Sequence, residues 1–154
     1  MGIVHPLSDG VLYSHWTDVL EIPWPYRNFQ PHEFASGGNG ELYWHELTFK
    51  AIQLARDIIG HPLYVNSAHR DWLHNLAIGG APRSAHLYIA LDISTRDQDR
   101  ARIYHALLKA GFKSFGFYET FIHVDMRPGR RWYGSARARA IWQPILTRPV
   151  PSIV

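Results

Sequence analysis

Gly79-Gly80-Ala81-Pro82-Arg83-Ser84-Ala85-His86-Leu87-Tyr88-Ile89-Ala90-Leu91-Asp92-Ile93 is the run whose reading decides the fold. Gly79, Gly80 and Pro82 make the approach to His86 a loop, whereas residues 87–93 are apolar and read as a buried strand. His86 then stands on the loop or at the strand entrance, and Asp92 near the strand's far end. On a helix, residues at this separation are rotated by roughly 600° and point to different sides, while on a straight strand they lie about 20 Å apart. If the two side chains share an ion, the chain must bend between them.

A second run, Phe121-Ile122-His123-Val124-Asp125-Met126-Arg127, supplies another histidine. Read with a period of two from Phe117, it puts Phe117, Glu119, Phe121, His123 and Asp125 on one face. Tyr118, Thr120, Ile122, Val124 and Met126 take the other. Two imidazoles and a carboxylate, from His86, His123 and Asp92, would make a ligand set with the fourth tetrahedral position open, the pattern of catalytic zinc. For a single histidine in a strand, the alternative is a hydrogen-bonded structural role.

Four ordered motifs carry a resemblance. Phe29-Gln30-Pro31-His32-Glu33-Phe34, Pro62-Leu63-Tyr64-Val65-Asn66-Ser67-Ala68-His69-Arg70, the Gly-Gly-Ala-Pro-x-Ser-x-His run and Ile122-His123-Val124-Asp125 resemble the M15 peptidases over roughly residues 28–135. These are zinc D-alanyl-D-alanine carboxypeptidases and related endopeptidases of bacterial cell-wall peptides. The resemblance implies that His86, Asp92 and His123 bind zinc and that Arg70 and Ser84 face the substrate. Two positions depart from the family pattern. Five residues separate His86 from Asp92 where the family has one more, a glycine among them, and Thr120 stands where many members carry an acidic general base.

Distance compares the remaining bases. Glu119 lies roughly 13 Å from His123 along an extended chain and Asp125 about 7 Å away on the same face. A base must reach the water it deprotonates, which favours Asp125 as the catalytic residue. Asp125 has a second reading, in which it orients a ligand histidine or pairs with Arg127. The Arg70 guanidinium offers a planar fork for a substrate carboxylate. Ser84 lies in no nucleophile elbow and reads as a loop hydroxyl facing substrate or backbone.

Composition suits one domain. The 154 residues are 46% hydrophobic, carry a net charge of +3 and contain no cysteine, which excludes disulfides and zinc thiolates. The basic balance, with a pI near 9.3, fits an acidic partner. Arg127, Arg130, Arg131, Arg137 and Arg139, interleaved with Trp132 and Tyr133, suggest a nucleic-acid reading, but no nucleic-acid fold signature accompanies them and a solvated face is the expectation. The start of the chain lacks a basic segment followed by an apolar one, and no stretch is long enough to span a membrane. The expectation is therefore synthesis in a cytoplasm without Sec export or membrane insertion, with access to cell-wall peptides supplied by another protein, as in phage lysis.

The expected fold is α+β, a single domain in which two main helices pack on a small, mostly antiparallel sheet carrying a metal site. Helices are expected at 41–59, with Leu47, Ala51, Leu54, Ala55 and Ile58 inward and Gly60 as stop, and at 97–110, with Ile103, Ala106, Leu107 and Ala110 inward. A strand is expected at 62–66, a short helix after Arg70 running to Ala77, and a hairpin over 113–126. Residues 1–27 read as an irregular packed extension, 28–143 as the peptidase-like domain, and 144–154 as an extended tail. A working enzyme with zinc and a wall-binding module without a base both fit this reading.

Overall fold

Ile122 and Val124 alternate with Phe121, His123 and Asp125, and this period of two gives the central strand one apolar and one polar face. In the computed structural model, which describes residues 5–148, that strand lies in the middle of a five-stranded sheet. The strands are β1 (Val11–Tyr13), β2 (Leu42–Trp44), β3 (Val65–Ser67), β4 (Leu91–Ser94), β5 (Ser114–Phe117), β6 (Phe121–Asp125) and β7 (Arg131–Tyr133). The α-helices are α1 (Pro31–Phe34), α2 (Glu46–Ile59), α3 (Trp72–Ala77), α4 (Arg100–Ala110) and α5 (Ala136–Leu146). The larger sheet has the order β3-β4-β6-β5-β7, antiparallel except for the parallel pairing of β5 with β7. Strands β1 and β2 form a separate antiparallel pair.

Register sorts the large sheet's side chains. Leu91, Ile93, Ile122, Val124, Phe115 and Phe117 face one another across β4, β6 and β5, and all are buried. Tyr104 of α4 packs on Phe115 and Phe117, and Trp142 of α5 lies 5.1 Å from the Phe117 ring. Helix α2 packs in turn on α4. Helices thus cover the apolar face, and the opposite face is left for chemistry.

The mixed α/β single domain expected from the sequence is present, but its parts differ. Residues 42–44 form β2, and α2 begins only at Glu46, where the His45 side chain accepts the Thr48 N–H at 3.3 Å. Its buried stripe runs through Phe49, Ala51, Ile52, Ala55 and Ile59, while Leu47 and Leu54 are about half exposed. Phe49 decides this rotation by stacking on Phe34 at 4.4 Å. Helix α4 starts at Arg100, capped by Asp99, and β3 is displaced to Val65–Ser67. The hairpin over 113–126 forms as β5 and β6, so the turn at 118–120 breaks the single alternating strand read from Phe117.

The two-helix expectation is corrected to three long helices, because α5 occupies residues assigned to the domain's end and tail. Fully buried Trp142 anchors α5, which runs on through Pro144 although proline lacks the N–H that would bond the carbonyl four residues back. The rest of the expected tail, 149–154, lies outside the described residues, as do residues 1–4. The segment before residue 28 is not simply irregular: β1 pairs with β2, and Leu7, Val19 and Tyr26 enter the same core.

Candidate metal centre

One row of residues crosses the whole open face of the sheet. Ser67 pairs with Asp92, Asp92 with His123, His123 with Gly116, and Gly116 with Trp132, so these five positions stand side by side on five strands. His86 joins the row from outside it. The strand expected over 87–93 is replaced by a single turn of 3₁₀ helix at Ala85–Leu87 and a turn at Tyr88, and β4 starts only at Leu91. This is the bend that the six-residue separation required. With it, His86 Nε2 comes within 3.2 Å of Asp92 Oδ1, and the shorter interval between them does not keep them apart.

His86, Asp92 and His123 each present one ligand atom within 4.8 Å of the others, and all three are buried. The Asp92 Oδ1 to His123 Nδ1 distance is 3.1 Å. Tetrahedral zinc with bonds of about 2.0–2.2 Å holds its ligand atoms about 3.3–3.6 Å apart, and the two distances at Asp92 fall within a few tenths of an ångström of that range. The second nitrogen of each ring is also committed. His86 Nδ1 lies 2.6 Å from the Ala68 carbonyl and His123 Nε2 lies 2.7 Å from Asp125 Oδ2. With a proton on each of those nitrogens, the lone pairs of His86 Nε2 and His123 Nδ1 face the same point. The donor set therefore could hold a metal ion.

Charge follows from this geometry. Burial opposes ionisation of Asp92, but when the two rings are instead protonated toward it, hydrogen bonds and positive charge from His123 and His86 outweigh burial and hold the carboxyl well below the usual carboxylate range. Burial likewise lowers the affinity of His123 for a proton, while Asp125 and Asp92 raise it further, with a net upward shift. Asp125 is fully buried; burial disfavours its charge, and bonds from His123 and Arg127 more than compensate, so its carboxyl too stays well below the usual range.

Arg70 and Ser84 both reach this face. The Arg70 backbone N–H donates to the His86 carbonyl at 2.6 Å, fixing the arginine beside the first histidine. Its guanidinium donates to Ser67 Oγ and Asn75 Oδ1 and stands 3.7 Å from Asp92 Oδ2. Ser84 caps the 3₁₀ turn, its hydroxyl accepting the His86 N–H at 3.2 Å. Asp125 accepts a fork from Arg127, at 3.0 and 2.8 Å, besides its bond to His123. Glu119 sits in the β5–β6 turn, with its carboxylate 3.4 Å from Arg137 of α5. His69, which the sequence sets beside Arg70, bonds Glu41 and the Tyr88 carbonyl.

A cleft of about 690 Å³ opens over the row, lined by Arg70, Ser84, His86, Asp92 and His123 together with Tyr118, Phe121 and Trp132. The sequence points to Trp132 only within the arginine-rich run and to Tyr118 only on the strand face opposite His123, so neither is expected at this cleft. The indole lies 4.9 Å from the His123 ring and donates to the Tyr118 hydroxyl at 2.9 Å. Gly116 makes this possible, because a Cβ there would stand 2.5 Å from the indole. A lone glycine between Phe115 and Phe117 is the local signal of such a close approach.

A family model described as Peptidase M15 matches residues 31–125, a span that contains Arg70, Ser84, His86, Asp92, His123 and Asp125. No curated protein matches the chain.

Proposed function

Because the chain belongs to the peptidase M15 family, we propose that it is a zinc-dependent hydrolase of peptide bonds in peptidoglycan stem peptides, with His86, Asp92 and His123 as zinc ligands. The observation that carries this reading is the convergence of two imidazole lone pairs and a carboxylate at the floor of one cleft. Zinc held there would supply Lewis acidity toward a peptide carbonyl and acidify a water molecule. The protein's residues supply placement. Arg70, at the cleft wall beside Asp92, receives a substrate carboxylate on its planar fork. Ser84 holds the His86 turn and offers its hydroxyl at the cleft surface.

Asp125 takes the positioning role among its two sequence readings. Both of its oxygens are engaged and it has no exposed surface, so it fixes the tautomer and aim of His123 through Nε2. A proton acceptor must instead reach the reacting water.

A second reading has an observation of its own. Among the described residues Asp92 is the one carboxylate lining the cleft, which favours a wall-binding module that keeps the metal site without hydrolysing its ligand. No helix among the described residues is long and apolar enough to cross a membrane. Arrival at the wall through a membrane opened by another protein, as in phage lysis, completes the proposal.

The deciding experiment follows soluble products released from purified peptidoglycan, with and without a chelator, alongside His86→Ala and His123→Ala. Chelator-sensitive release of peptide fragments, lost in both variants together with most of the bound zinc, is expected. Tight wall binding without release would establish the binding module.

A further inference from the structure

Four arginines line the cleft, Arg70, Arg83, Arg127 and Arg130, against the single carboxylate of Asp92. Two of the four have local partners. Arg127 is forked onto Asp125, and Arg70 is held by Ser67, Asn75 and Asp92. Arg83 and Arg130 differ: both are exposed, and among the described residues neither guanidinium has a carboxylate or hydrogen-bond partner. They come from separate segments, Arg83 from the loop before His86 and Arg130 from the loop between β6 and β7. The latter loop is tied down by Ser114, whose hydroxyl donates to the Arg127 carbonyl at 2.5 Å and accepts the Arg130 N–H at 3.2 Å.

We propose that Arg83 and Arg130 form a second anion subsite at the rim of the cleft, selecting acidic peptides that carry another free carboxylate besides the one received by Arg70. The inference rests on the peptidase reading of the cleft for its choice of peptide. Two unpaired guanidiniums bordering one cleft raise the local concentration of anions, and each offers a planar donor pair that suits a carboxylate. The aromatic side chains of Tyr118, Phe121 and Trp132 beside them suit the apolar parts of a peptide. A polyphosphate chain would be drawn by the same charge. It would leave the carboxylate fork of Arg70 and the ligand set beside it without a peptide to act on.

The test uses two synthetic peptides that differ only in one side-chain group, a free carboxylate or its carboxamide. Affinity is measured by calorimetry on chelated protein, and KM by product release from zinc-loaded protein. The wild type is expected to favour the carboxylate by about tenfold in both Kd and KM, the scale of one charge-assisted hydrogen bond. The preference should narrow in high salt, as for exposed charges. In Arg83→Gln/Arg130→Gln the ratio between the peptides should approach one. Equal affinities in the wild type, a preference that persists in the double variant, or a single-stranded oligonucleotide that displaces the peptide and binds more tightly would each overturn the proposal. Hydrolysis of both peptides without a preference overturns the subsite alone. A preference in binding without any hydrolysis overturns the peptidase reading alone, and binding of neither peptide overturns the subsite.

Discussion

His123 turns one ring nitrogen toward Asp92 and the other toward Asp125, so under the zinc proposal a change at Asp125 would act on the ion through the ring. Asp125→Asn should lower zinc affinity about tenfold to a hundredfold, the usual cost of losing an orienting partner. Zinc titration against a competing chelator measures this. Unchanged zinc affinity with hydrolysis slowed by about a hundredfold would return Asp125 to proton acceptance. Gly116 tests the other side of the same histidine. A methyl group in Gly116→Ala meets the Trp132 indole at 2.5 Å and must push it off the His123 ring. Overpacking of this kind costs about 1–3 kcal/mol, read as a lowered urea midpoint, with altered tryptophan fluorescence. At this scale the sequence shows the residue types and the alternation that places His123 and Asp125 together. It does not show that the carboxylate binds the far edge of the ring, since a distance along a strand ignores what stands between.

Helix α3 leads from Arg70 into the loop that carries Ser84, and its first turn is held by one carboxylate. Asp71 accepts the His74 N–H at 3.1 Å and the Asn39 N–H at 3.2 Å, and it also receives the Ser36 hydroxyl. Burial disfavours its charge, but these bonds prevail and its carboxyl lies below the ordinary value. The sign of the pH effect follows. A depressed folded value means stability that is present above the unfolded value of about 3.9 and lost as pH falls through the folded one. Asp71→Asn should therefore be less stable near neutrality by about 1 kcal/mol and should lose less on acidification than the wild type. Chemical denaturation at pH 6 and pH 3 compares the two slopes. Elements were legible in the sequence where a stop marks them, as with Gly60 after α2. The 3₁₀ turn at Ala85–Leu87 was not, because an apolar run reads alike as strand or as buried turn.

Across the whole molecule, α5 ties the covered face to the cleft. Trp142 donates its indole N–H to the Tyr118 carbonyl at 2.8 Å, while the Tyr118 hydroxyl receives the Trp132 indole N–H at the cleft. Trp142→Ala removes a fully buried ring and should cost about 3–5 kcal/mol, seen as a fall in Tm. Zinc should act in the opposite direction. An ion that binds the folded state alone stabilises it by about 4 kcal/mol at a thousandfold excess over Kd, so zinc should raise Tm and a chelator reverse it. His123→Ala should abolish that response. The sequence by itself determined a mixed α/β domain, the alternation of β6 and the identities of the candidate ligands, because periodicity and residue chemistry are local properties. Only the tertiary structure decided that Asp92, His123, Gly116 and Trp132 stand in one row and that α5 closes the opposite face. The parallel partnership of β5 with β7 and the inward turn of Trp142 depend on partners distant in the chain, and no local pattern specifies them.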